Sequence, residues 1–158
     1  MKKIFLSILF LYVLQAQSQD TLKIKQIDSL VKVINNSGLK TQYDSILQNH
    51  PELGLKMKTY LTAVTNGEEL KKYVNKVNSE IKENGKVKKM NSSSTFYFDQ
   101  YKLIKVEEFA NQDEKQKHFD WYFANDKPIY YTMQSDKAVE RATLLLAIAE
   151  GFLKQFKK

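Results

Sequence analysis

The residues with the chemistry to act as acid, base or metal ligand are few and scattered. The chain of 158 residues has two histidines, His50 and His118, in separate segments and at neither H-x-H nor H-x-x-x-H spacing, and it has no cysteine. Thiol catalysis, disulfides and cysteine-based zinc sites are therefore excluded, and neither a metal site nor a cofactor is expected. His118 and Asp120 stand two apart in a segment with strand character, so they share a face and could form half of a base–orienter pair. Nothing in the sequence supplies a third group, and the plainer reading is a polar strand face beside the charged run at residues 113–117. Ser79-Glu80-Ile81-Lys82 fits S-x-x-K, but the S-D-N and K-T-G elements that accompany it in penicillin-recognising enzymes are absent. No G-x-S-x-G occurs, and the five glycines stand alone, giving no phosphate loop. Glu107 and Glu108 are adjacent; on a strand they point to opposite faces and cannot work as a paired acid and base.

The concentration of residue type that does stand out is aromatic: Phe96, Tyr97, Phe98, Phe119, Trp121, Tyr122, Phe123, Tyr130 and Tyr131. With two-residue turns Tyr97 pairs with Ile104 and Tyr122 with Ile129, while Phe98, Trp121 and Phe123 face the other way. The sheet is then aromatic on both sides. One reading packs one face against a helix and leaves tyrosine hydroxyls at water on the other. The second makes that other face a surface for an apolar small molecule or a protein partner, carried by Tyr60, Tyr97, Trp121, Tyr122, Tyr130 and Tyr131.

The elements that must position these residues follow from periodicity. Leu22, Ile24, Ile27, Leu30, Val31 and Ile34 recur at a helical period, and Asn36-Ser37-Gly38 stops the helix, which gives a helix over 20–36. Residues 39–53 read as irregular, with at most a turn of helix at 43–48. From Leu55 the pattern alternates: Leu55, Met57, Thr59, Leu61 and Ala63 against Lys56, Lys58, Tyr60, Thr62 and Val64. Residues 69–83 satisfy both a helical stripe and a period of two. Asn75, Asn78 and Ser79 disfavour a helix interior, and Asn84-Gly85 is a hairpin turn, so a strand is preferred. Further strands are expected at 87–98, 102–109, 117–124 and 127–133, with turns at Gln100-Tyr101 and Asn125-Asp126 and a polar loop at 110–116. The last two hairpins repeat at an offset of 25 residues: Phe96-Tyr97-Phe98 on Trp121-Tyr122-Phe123, Lys102 on Lys127, Ile104 on Ile129. Ser135 or Asp136 then caps a helix over 136–156 that is apolar almost all round in its middle, as a helix buried on more than one side must be.

The first residues give an address. Lys2 and Lys3 precede the apolar run Ile4–Leu14, eleven residues long, and Ala16-Gln17-Ser18 is a small-x-small cleavage pattern. The run is too short for a bilayer span and suits a signal peptide over 1–18, leaving one domain over 19–158 with no transmembrane segment. A lipoprotein anchor needs a cysteine that the chain lacks, so a soluble periplasmic or secreted protein is expected. Net charge is +7, yet of 25 basic residues only Arg141 is arginine. Nucleic-acid readers lean on the bidentate arginine fork, and dispersed lysine reads as a solvated surface; no nucleic acid is expected.

The tandem hairpins Phe96-Tyr97-Phe98 with Lys102-Leu103-Ile104-Lys105-Val106 and Trp121-Tyr122-Phe123 with Lys127-Pro128-Ile129-Tyr130-Tyr131, the Lys- and Asn-rich composition and the short leader resemble small exported proteins of Bacteroidetes-type bacteria over residues 55–156. The resemblance implies no activity and assigns no functional residue. The residues together predict an α+β domain: an N-terminal helix, an antiparallel meander of about six strands over 55–134, and a buried C-terminal helix. The expected role is a non-catalytic binding or interaction module for an apolar ligand or protein partner, with a homo-oligomer through the C-terminal helix as a further possibility. The rival classes are a hydrolase built on His118 and Asp120, and a structural envelope subunit.

Overall fold

The structure, a computed structural model, describes residues 20–83, 85–112 and 115–156; the leader expected at 1–18 lies outside them. Residues 20–36 form α1. A seven-stranded antiparallel meander follows in strict sequence order: β1 Lys40–His50, β2 Leu55–Asn66, β3 Glu69–Glu83, β4 Lys86–Asp99, β5 Lys102–Gln112, β6 Lys115–Ala124 and β7 Lys127–Tyr131. The chain closes with α2, Ala138–Phe156. This is the α+β architecture that the patterning predicts, with one strand more and the sheet running from 40 to 131 rather than 55 to 134. No helix among the described residues is long and apolar enough to cross a membrane.

Alternation along β4 and β6 divides the aromatic residues between two cores. Phe96, Phe98, Trp121 and Phe123 point to one face, where Ala138, Ala142, Leu145, Ala149 and Leu153 of α2 cover them together with Leu70, Leu103 and Val106. Tyr97 and Tyr122 point to the other face, where Ile27, Val31 and Ile34 of α1 close over them. The two helices thus take opposite faces of one sheet, so α1 does not cover α2. The sequence predicts a helix buried on more than one side, whereas α2 buries a single stripe and leaves Val139 and Leu144 exposed.

Three hairpins share one construction. Two-residue turns join β2–β3, β4–β5 and β6–β7, and each is followed by a register shift: between Val64 and Thr65, between Tyr97 and Phe98, and between Tyr122 and Phe123. The extra residue is Lys71, Ile104 or Ile129. Gln100, Tyr101, Asn125 and Asp126 all have positive φ, as a mirror-image two-residue turn demands. The 25-residue offset read in the sequence is therefore a repeat of hairpin plus bulge. The bulge also corrects the expected pairing: Tyr97 stands opposite Lys105, not Ile104, and Tyr122 opposite Tyr130, not Ile129. An extra residue on one strand opposes two residues to one and shifts all that follows.

Two further corrections concern segments read as irregular. Residues 40–50 form β1, and the loop expected at 110–116 is strand at 110–112 and 115–116. Between β1 and β2 a single 3-10 turn, Pro51–Leu53, ends on Gly54 with φ +60°. Gly54 receives the amide of Lys82 on its carbonyl at 2.8 Å, and a Cβ at this position would stand 2.7 Å from the Lys82 carbonyl oxygen. Gly54→Ala is therefore expected to destabilise the protein by about 1–3 kcal/mol, read as a lower urea midpoint at unchanged slope. Gly38→Ala, which meets nothing within 4 Å, is the matched control.

Candidate functional site

Cross-strand register lines up Lys72, Tyr97, Lys105, Tyr122 and Tyr130 in one row across β3 to β7 on the α1 face. Cations and rings alternate along it. The Lys72 ammonium lies 5.5 Å from the Tyr97 ring centre, the Lys105 ammonium 4.8 Å from that of Tyr122, and the Tyr122 and Tyr130 rings are 5.9 Å apart. Because strand side chains repeat every two residues, Glu107 and Asp120 form the next row, paired with each other beside Lys105 and Tyr122.

α1 closes on this row at two points. Asp28 Oδ1 accepts from Lys105 Nζ at 3.1 Å and from the Tyr122 hydroxyl at 3.0 Å. Seven residues on, two turns along the same side of the helix, Asn35 donates to the Tyr97 hydroxyl at 3.4 Å and accepts from Lys72 Nζ at 2.8 Å. Ile27, Val31 and Ile34 fill the space between. Lys105 also meets Glu107 at 3.0 Å and Asp120 at 3.7 Å, and the Tyr97 hydroxyl donates to Glu107 at 3.1 Å. The result is a buried ammonium ringed by three carboxylates that each keep one side toward water.

The protonation states that follow are those of a structural centre. Burial works against the Lys105 ammonium, but hydrogen bonds with Tyr122, Glu107 and Asp28 outweigh it and raise its pKa above the ordinary lysine value. Burial pushes the Tyr97 phenol up to about 12, eased by Asn35 and reinforced by Glu107, and burial raises Tyr122 as well. Lys105 is thus held as a cation that cannot serve as a nucleophilic amine, and the two phenols stay protonated. The sign of the pH dependence follows. These folded-state values lie above the unfolded ones, so the stability they contribute is complete below pH about 10 and is lost as pH climbs through the folded values. Tyr97 is expected to ionise last among the tyrosines, near pH 12 and together with unfolding, when absorbance at 295 nm is followed against far-ultraviolet circular dichroism.

His118 sits at the rim, 60% exposed, with Nε2 3.3 Å from Asp120 Oδ1, so the pair expected from the sequence does form. Asp120 is shared with Lys105, and its backbone amide donates to the Thr132 hydroxyl. No hydroxyl is hydrogen-bonded to His118 among the described residues, and no group of three or more His, Asp or Glu side chains among them is placed to hold a metal ion. Ser79 and Lys82, three apart on β3, face opposite sides, and the Ser79 hydroxyl donates to the Met90 carbonyl at 3.3 Å. Glu107 and Glu108 separate as expected: Glu107 joins the α1 side, and Glu108 takes Arg141 of α2 on the other, with Arg141 Nε at 3.2 Å and Nη2 completing the fork.

The six residues expected to carry a binding surface do not share one. Trp121 is fully buried beneath α2, with Tyr131 packed on the same side at 5.5 Å between ring centres. Tyr97 and Tyr122 are buried beneath α1. Tyr130 and Tyr60 keep exposed rings at opposite ends of the α1 face, and Lys58 covers Tyr60 at 4.8 Å. Helices occupy the aromatic parts of both faces.

What the helices leave uncovered is the other end of the sheet. β1 has no buried residue: Tyr43 is 79% exposed, Leu47 63% and Ile46 48%. Beside it an open groove of about 660 Å³ is lined by Tyr43, Ser45, Tyr60, Thr62 and Lys76. The two sheet edges differ in kind. β7 is five residues long and contains Pro128, two features that discourage strand addition. β1 is eleven residues long, contains no proline, and carries only Lys40 and Asp44 as formal charges. Sequence reasoning passed over it because an all-exposed strand has no apolar period. The available signal was the local run Tyr43, Ser45, Leu47 against Asp44, Ile46, Gln48. No protein-family model, curated protein or solved structure matches the chain.

Proposed function

We propose that residues 1–18 direct export and that the domain works outside the cytoplasm as a non-catalytic interaction module, binding a protein partner through the open β1 edge. The observation that carries this reading is β1 itself. Natural sheets blunt their edges with short strands, proline, charged side chains or a covering element. β1 is eleven residues long, has no proline and carries a single lysine at its very start, so it is a template for another chain's strand. Main-chain hydrogen bonds supply affinity in that mode, and alternate side chains supply specificity. Tyr43, Ser45 and Leu47 would offer one set of contacts and Asp44, Ile46 and Gln48 the other.

A protein partner is favoured over an apolar small molecule because the aromatic side chains that would line an enclosed pocket are spent on the two helix contacts. A binding role is favoured over hydrolysis because Lys105, Tyr97 and Tyr122 are held in protonated states and no hydroxyl among the described residues is hydrogen-bonded to His118. Native mass spectrometry of the protein drawn from its own cells tests this. The partner should be retained by His118→Ala, a surface change within about 0.5 kcal/mol of neutral, and lost on combining Tyr43→Lys with Leu47→Lys. Retention by the double variant, or loss with His118→Ala alone, would contradict the proposal.

A further inference from the structure

We infer that the strand added to β1 is the β1 of a second copy of this chain, antiparallel, about a two-fold axis normal to the sheet through Ser45. The inference rests on the reading of β1 as a working edge and names what fills it. Closed association of identical chains is isologous, so a residue at position i must suit its own partner position in the copy. Centred on Ser45, the register sets Tyr43 against Leu47, Asp44 against Ile46, Gln42 against Gln48 and Lys40 against His50, each pair on one face of a continuous sheet. The two most exposed apolar side chains of the strand then cover each other twice, once on each side of the axis.

Neighbouring registers are poorer. Centring on Asp44 opposes that carboxylate with its own copy, a like-charge pair at the axis. Centring on Ile46 pairs Ile46 with its own copy but sets Tyr43 against Asn49 and Leu47 against Ser45, so the two most exposed apolar residues meet polar ones. Charge also selects the edge. The chain carries +7, which opposes the approach of a copy, whereas β1 holds one lysine and one aspartate. The Ser45 amide donates to Asp44 Oδ1 at 2.7 Å, a local bond that the added strand's carbonyl has to replace. A single-strand contact belongs to the small, weak class of interfaces, so association in the micromolar range or above is expected.

The chain has no cysteine, so an introduced one reports register without interference. In an antiparallel pair of identical strands a residue faces its own copy, within disulfide reach, only at the axis. Under mild oxidation Ser45→Cys should form covalent dimers at least about tenfold faster than Thr41→Cys, whose copies stand far from each other in this register. Sedimentation of the unmodified protein should show mass doubling as concentration rises, and Ser45→Lys, two lysines at the axis, should stay monomeric with an unchanged circular dichroism spectrum. Equal cross-linking of the two cysteine variants, or a monomer at all concentrations, would overturn self-pairing. In the second case the interaction reading is judged separately by whether another protein is captured at β1 in the cell.

Discussion

Replacement of Trp121 by alanine is expected to cost the fold about 3–5 kcal/mol, measured as the shift of a urea unfolding curve. Trp121 is fully buried, stands between Val106 and Tyr131 in the cross-strand register, and belongs to the core that α2 closes. Truncation opens a cavity beneath α2, whose buried stripe Ala138, Ala142, Leu145, Ala149 and Leu153 is already packed in this core and closes the space only in part. A domain of this size is stable by about 5–15 kcal/mol, so the variant stands close to the threshold for remaining folded at 37 °C. Trp121→Phe should cost much less. The indole Nε1 is buried without a hydrogen-bond partner among the described residues, and removing it relieves a desolvation penalty that partly offsets the smaller ring. Tyr130→Ala, nearby on the sheet and exposed, should stay within about 1 kcal/mol. A Trp121→Ala protein as stable as the parent would mean that α2 does not rest on this residue.

Lys105→Met should be the next most damaging change, at about 2–4 kcal/mol near pH 7. Breaking a buried pair by removing one partner leaves the other charge uncompensated, and here three carboxylates, Asp28, Glu107 and Asp120, lose their common cation. The figure is set below the value for fully buried pairs because these carboxylates are 28–40% exposed and partly screened. The loss should be local. Asp28 ties α1 to Lys105 and Tyr122, so amide hydrogen exchange should accelerate over residues 24–34 before it does so in α2. Equal acceleration in both helices would show that the centre supports the whole sheet instead of α1.

Both predictions turn on features that the sequence exposes unequally. α1 was legible because Ile24, Ile27, Val31 and Ile34 bury one face of a helix that ends at Asn36-Ser37-Gly38. The strand at 69–83 was legible despite its ambiguous period, since Asn84-Gly85 between two runs specifies a hairpin and Asn75, Asn78 and Ser79 sit badly inside a helix. Lys105 was not legible as a centre. Its place depends on a bulge that adds Ile104 opposite a single residue, and the displacement puts a lysine where alternation alone puts an isoleucine. Tyr97 and Trp121 read alike, as strand aromatics, and only the positions of the two helices decide that both are core. β1 was missed for a different reason: with no side chain buried, its backbone pairing with β2 is all that defines it, and pairing leaves no trace in composition.

The most direct test of β1 as the working surface is photo-cross-linking inside the cell that makes the protein. A benzophenone side chain placed at Leu47 on β1 and, separately, at Tyr130 on β7 samples the two sheet edges with equal reach; both native residues are exposed, so neither replacement should disturb the core. Protein adducts are predicted at Leu47 and not at Tyr130. Adducts at Tyr130 with none at Leu47, or none at either position, would contradict the assignment of β1.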